Sequence, residues 1–175
     1  MSVFLLQMIV VMFAKKDIRR RSHVPNEARV TPMEKYIGIF STFFWLSALA
    51  YSVFLPLLLG TIWFYVGLPI FIIGVILLSL ATSNFMTTPL DRVIQKGVYK
   101  FSRHPMYLAT FLIFIGSGIA TASFIIILLS VLIAICLYYE ALLEERYCLK
   151  KYQDMYKEYL DIVPRWLGIP KKLFL

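Results

Sequence analysis

Gly97-Val98-Tyr99-Lys100-Phe101-Ser102-Arg103-His104-Pro105-Met106-Tyr107 places an Arg-His pair directly before a proline that opens a long apolar run. Proline favours the first helical position, so a helix is expected to start at Pro105. Its first turn leaves unpaired backbone N–H groups and the positive end of the helix dipole beside Arg103 and His104, a ready anion site. Ionisable groups at the mouth of a membrane helix are costly, which makes this point a functional candidate. The plainer reading is that Arg103 and His104 snorkel and only fix topology.

The rest of the chain has the composition of a polytopic membrane protein. Hydrophobic residues make up 60% of 175, charged residues 16%, and mean hydropathy is +0.76. A formal charge of +8 would suggest nucleic acid on a soluble fold. Here the basic residues instead follow the positive-inside rule, and no nucleic-acid partner is expected. Five apolar stretches are read at Val3–Ala14, Tyr36–Leu59, Thr61–Ala81, Met106–Ile115 and Ile119–Tyr139. Tight turns at Pro56–Gly60 and Gly116-Ser117-Gly118 join the last four into two hairpins, because an unbroken helix from Pro105 to Tyr139 at about 1.5 Å per residue would overshoot a bilayer. This pairing puts Lys15, Lys16, Arg19–Arg21, Arg92, Lys96, Lys100, Arg103 and the basic tail on one side, together with every acidic residue.

The expected fold is therefore all-α: a single integral membrane domain over 1–175, with N-terminal helices in 1–90 and the chemistry in 91–175. About five transmembrane helices, in two tight hairpins, precede a cytosolic C-terminal amphipathic helix. The N-terminus lies outside and the C-terminus inside, provided the first stretch spans; ending at residue 14, it is shorter than the roughly 20 residues a span needs. A secretory signal is the other reading of that stretch, disfavoured because the basic cluster follows it rather than precedes it. The fourth stretch is short too, so its start must sit recessed, with the loop Asp91–Ser102 and the tail after Tyr139 folding over it. Irregular backbone at that depth needs such a cover.

The tail supplies opposite charge. Glu140 and Glu144 share a helical face that can meet Arg103 and His104, while Glu145 turns about 100° away. Tyr152, Tyr156, Tyr159 and Val163 then form an aromatic stripe at helical spacing, and packing or interfacial anchoring is its ordinary explanation. Val163-Pro164-Arg165 ends the helix. No metal spacing is present, and Cys136 and Cys148 read as two reduced side chains.

From about Val93 to Pro170 the chain resembles the isoprenylcysteine carboxyl methyltransferase and phospholipid methyltransferase superfamily of integral membrane enzymes. The matching residues are Gly97, Tyr99, Arg103-His104-Pro105-Met106-Tyr107, Glu144-Glu145, Tyr152, Tyr156, Tyr159 and Val163-Pro164-Arg165. Departures are Ala109 where the family often has Gly, Tyr152-Gln153 for Phe-Gly, and Val98 for a Pro. The resemblance implies a small helical fold that binds S-adenosylmethionine at the cytosolic face and takes a lipophilic acceptor from the bilayer, either an isoprenylcysteine-like carboxylate or a phospholipid amine. It assigns cofactor binding to Gly97, Tyr99, His104, Pro105, Met106, Tyr107, Glu144 and Glu145, and catalysis to Arg103 and Glu144. The first-turn N–H groups with His104 suit the cofactor carboxylate, Glu144 or Glu145 its ammonium, and Tyr99 or Tyr107 its cationic centre. Arg103 would orient a carboxylate acceptor; an amine acceptor would instead need a Glu as base. The alternatives are an NADPH-dependent membrane sterol or steroid reductase, whose motif usually reads Arg-His-Pro-Asn-Tyr, and a non-catalytic membrane scaffold.

Overall fold

The computed structural model describes residues 31–89 and 91–170. Five α-helices make up the protein there: α1 Pro32–Ser52, α2 Ile62–Met86, α3 Pro105–Ala120, α4 Phe124–Tyr152 and α5 Asp154–Ile162, with a 3₁₀ turn at Gly97–Lys100 before α3. No strand occurs among the described residues. Helices α2 and α4 are long and apolar enough to cross a membrane, and α3 is a shorter apolar helix. The expected span at Val3–Ala14, with the basic cluster after it, lies outside the described residues. Five spans and a separate cytosolic helix are thus more than the described helices establish.

Helices α1, α2 and α4 begin where the sequence supplies a capping side chain, whereas α3 and α5 start without one. Thr31 and Glu34 form a reciprocal capping box around Pro32 at the start of α1, with Thr31 N–H on Glu34 Oε2 at 3.1 Å. Glu34 Oε1 also takes Arg146 Nη2 at 2.7 Å, which pins the start of α1 to α4. Thr61 and Ser123 cap α2 and α4 through their hydroxyls. Between Lys35 and Asp91, and again between Arg103 and Glu140, no Asp, Glu, Lys or Arg occurs. The charged ends of all the described helices therefore gather at one end of the bundle.

The second hairpin turns later than the glycines suggest. Helix α3 continues through Gly116-Ser117-Gly118 to Ala120, and the reversal comes at Ala122, whose φ of 48° is left-handed. Ser123 N–H closes the turn on Gly118 O at 2.8 Å. The glycines serve packing instead. A Cβ on Gly116 would lie 2.5 Å from the Phe71 nitrogen, and one on Gly67 would overlap Ala120 backbone, so α2 and α3 meet backbone to backbone, as small residues allow in membranes. Even at 16 residues α3 spans only about 24 Å, less than a hydrocarbon core near 30 Å. Helix α4, with 29 residues and about 44 Å long, overshoots that core and carries its last turns beyond the apolar region.

The expected amphipathic stripe is likewise interrupted. Gln153, at φ 48°, separates Tyr152 at the end of α4 from α5, and the chain beyond α5 becomes extended at Val163. Tyr156, Tyr159 and Val163 are buried against one another and fix α5 to the bundle. Helix α2 packs along α3 and α1 packs along α4, while α1 and α2 barely touch although they are consecutive.

Candidate active site

The Arg-His-Pro corner is held by the segment that follows α5. Arg103 N–H donates to Pro164 O at 3.1 Å, His104 N–H to Arg165 O at 3.3 Å, and Gly168 N–H returns to Phe101 O at 3.1 Å. Ser102 Oγ reaches the same Arg165 carbonyl at 3.2 Å. Residues 164–168 thus form a clasp that pairs with residues 101–104. The clasp takes the His104 N–H, which faces Arg165 O; within the first turn of α3 Tyr107 N–H bonds His104 O at 3.1 Å, and Pro105 has no N–H to give. Of the first-turn N–H groups expected to meet an anion, these bonds leave that of Met106.

Helix α4 brings two carboxylates to opposite edges of one imidazole. Glu144 Oε2 lies 3.3 Å from His104 Nδ1, and Glu145 Oε1 lies 3.2 Å from Nε2. A neutral ring has a single N–H donor, so a ring between two carboxylates is satisfied only as imidazolium. Burial alone would lower the His104 pKa, but hydrogen bonds to Glu144 and Glu145, with their charges, outweigh it and hold the pKa above the ordinary histidine value. The ring also stacks on Tyr107, with centroids 5.3 Å apart at 12°.

The neighbouring carboxylates do different work. Glu145 is buried and fully engaged: Arg165 grips it bidentately at 3.0 and 2.8 Å, and Arg103 Nη2 lies at 3.3 Å. The rest of the Arg103 guanidinium is turned inward, with Nη1 on Leu160 O at 3.3 Å and Nε buried without a partner. Glu144 stands differently. Its side chain is 34% exposed, and that exposure opens into a cavity of about 370 Å³, within the roughly 300–1,000 Å³ of small-molecule sites.

Of the residues assigned to cofactor binding or catalysis from the sequence, Tyr99, Arg103, His104, Met106, Tyr107 and Glu144 line this cavity, as do Tyr152, Tyr156 and Tyr159 of the aromatic stripe. Gly97, Pro105 and Glu145 are not on its wall. Gly97 has φ +55° with the Asn84 side chain where a Cβ would be, so the need for glycine there is local. Pro105 is buried at the start of α3, and Glu145 stands behind His104. The structure adds Glu140, one turn before Glu144 on the same face of α4, and Gly38, Ser41 and Thr42 from α1. Helical spacing already placed Glu140 beside Glu144; nothing local in the sequence pointed to α1. Arg165 was legible only as a helix terminator, because its partner Glu145 lies 20 residues away. Among the described residues no group of His, Cys, Asp and Glu could hold a metal ion.

A helical bundle with long apolar helices and a partly closed, acid- and tyrosine-lined cavity at its charged end has the features of a membrane enzyme. The chain belongs to the phospholipid methyltransferase family, whose model matches residues 56–155, more than half of its length. Methyltransferase activity follows from that membership in general terms, and the match favours methyl transfer over hydride transfer or scaffolding. No curated protein and no solved structure matches the chain.

Proposed function

We propose that the protein is an S-adenosylmethionine-dependent methyltransferase whose acceptor is the amine of a phospholipid. The observation that carries this reading is the sign of the charge on the cavity wall. The wall carries the carboxylates of Glu140 and Glu144; its one lysine, Lys151, lies over the Tyr147 and Tyr152 rings, and the guanidinium groups of Arg103 and Arg165 are bound to Glu145. A carboxylate acceptor such as an isoprenylcysteine would need one of those cations; an amine acceptor and the cofactor ammonium each need an anion. Tyr99, Tyr107, Tyr147, Tyr152, Tyr156 and Tyr159 complete the wall with aromatic surface suited to cations. Lys151 already lies 5.0 Å from the Tyr152 ring centroid.

The residues present fit the cofactor. When bound, S-adenosylmethionine supplies a methyl group on a sulfonium, open to in-line displacement. Glu144, oriented by His104, is assigned its ammonium. Glu140, one turn nearer the apolar half of the bundle, receives a proton from the acceptor ammonium, which frees the nitrogen lone pair for attack. Arg103 then acts through the clasp rather than on the acceptor. Orientation and exclusion of water supply the rest of the rate.

The test separates these roles. Glu144→Gln is expected to weaken S-adenosylhomocysteine binding by roughly 10–100-fold, the loss of one charge-assisted bond of about 1.5–3 kcal/mol. Glu140→Gln is expected to leave that binding within about twofold and lower methyl transfer to phosphatidylethanolamine by roughly 100-fold, with rescue as pH rises. Equal losses of cofactor binding in both variants, or transfer confined to prenylcysteine acceptors, would remove the amine reading.

The one-sided charge supports a cytosolic cavity end. In a background without Cys136 and Cys148, an impermeant thiol reagent applied from outside should label Leu59→Cys and spare Lys96→Cys. The opposite pattern inverts the topology.

A further inference from the structure

A second cavity, of about 470 Å³, lies between α1, α2 and α3 at the hairpin end of the bundle, walled mainly by apolar side chains such as Leu49, Phe71, Val75, Leu78, Ile113 and Phe114. Its position relative to the first cavity is regular. Thr42 and Leu49 on α1, Phe85 and Leu78 on α2, and Met106 and Ile113 on α3 are each seven residues apart, the first of each pair lining the acidic cavity and the second the apolar one. Seven residues are about 10 Å of helix, so the two spaces are stacked along the bundle axis by the same two turns on three helices.

Both cavities take wall residues from α1 and α2, consecutive helices that barely touch, α1 resting on α4 and α2 on α3. Ser41 and Thr42 on α1 line the lower cavity together with Glu140, where the proposed function puts the acceptor amine, and Leu49 and Val75 line the upper one.

Resting on that reading, we infer that the space between α1 and α2 runs from one cavity to the other and seats one acyl chain of the acceptor phospholipid, its headgroup at Glu140 and its methyl end near Val75. Length selects this occupant. A chain from one leaflet reaches about half of a hydrocarbon core near 30 Å, or about 15 Å. Val75 is ten residues up α2 from Phe85, also about 15 Å. A chain anchored at the cavity mouth therefore ends inside the apolar space, and the cavity wall there is predominantly apolar, as a hydrocarbon chain needs. The part between Leu55 and Phe64 lies beyond its reach.

The test uses the full chain in phosphatidylcholine vesicles with a phosphatidylethanolamine carrying a diazirine near the end of one acyl chain. Crosslinks are expected at Leu49, Val75, Leu78 or Ile113, competed by unlabelled phosphatidylethanolamine and reduced at least tenfold in Val75→Phe. That variant should also raise the KM for long-chain acceptor about tenfold, while S-adenosylhomocysteine binding and transfer to a dihexanoyl acceptor stay at parent levels. Crosslinks only between Leu55 and Phe64, as a resident lipid of the opposite leaflet would give, overturn the proposal, as does equal loss on long and short acceptors. Crosslinking is read without turnover. An inactive parent that still gives the competed crosslink refutes methyl transfer and supports the seat.

Discussion

Glu145→Leu is expected to destabilise the protein by about 3–5 kcal/mol, the usual cost of removing one partner from a buried ion pair. Its carboxylate is the common anion of Arg103, His104 and Arg165, at 3.3, 3.2 and 2.8 Å. Leucine nearly preserves the volume and leaves the Arg103 cation and the His104 ring without their shared counter-charge. The clasp should loosen as well, because Arg165 loses its bidentate partner. Glu144→Gln keeps a side chain of the same shape beside His104 and Tyr107 at a carboxylate that is 34% exposed, and should cost much less. Denaturation in detergent micelles decides the point: a Glu145→Leu loss under about 1 kcal/mol, or one no larger than that of Glu144→Gln, would mean that the cluster adds little to folding.

Gly67→Val should separate the two best-packed helices. A Cβ at Gly67 would come within 2.6 Å of both Gly116 O and the Ala120 Cα, and these are backbone atoms that no rotamer change can clear. Helices α2 and α3 would have to move apart along their contact, for which overpacking costs of about 1–3 kcal/mol are a lower bound, since valine adds two further carbons. Gly60→Asn is the matching control. Gly60 has φ +81° but open space around it, and asparagine tolerates the left-handed region, so a small effect is expected. A monodisperse, cofactor-binding Gly67→Val protein would show that the close approach is dispensable.

Much of the bundle could be read from hydropathy and charge, since two charge-free intervals enclose the two hairpins. The meeting of His104 with Glu144 was also legible, because opposite charges at one membrane depth have few other partners, whereas Arg103, expected on the Glu140–Glu144 face, meets Glu145 instead. The second turn was not. Gly116-Ser117-Gly118 carries the same composition as a loop and as a packing notch, and only the approach of Phe71 and Gly67 decides between them. The division of labour between Glu144 and Glu145 was hidden for a similar reason. A helical wheel gives the angle between neighbours but not what stands there, and here Arg165 stands beside one and a cavity beside the other. The break at Gln153 carries no glycine or proline to announce it.

The clasp also sets an order on assembly. Chains fold from the N-terminus as they are made, yet the backbone groups that receive Arg103 and His104 belong to Pro164 and Arg165, near the end of the sequence. Until that segment arrives, Glu144 and Glu145 can already meet Arg103 and His104, but the backbone N–H groups of the corner and the second edge of Glu145 lack their partners on Pro164 and Arg165. A chain truncated before Pro164 can insert its apolar helices but cannot close the clasp, so the synthesis of residues 164–168 decides when the Arg-His-Pro corner is fixed.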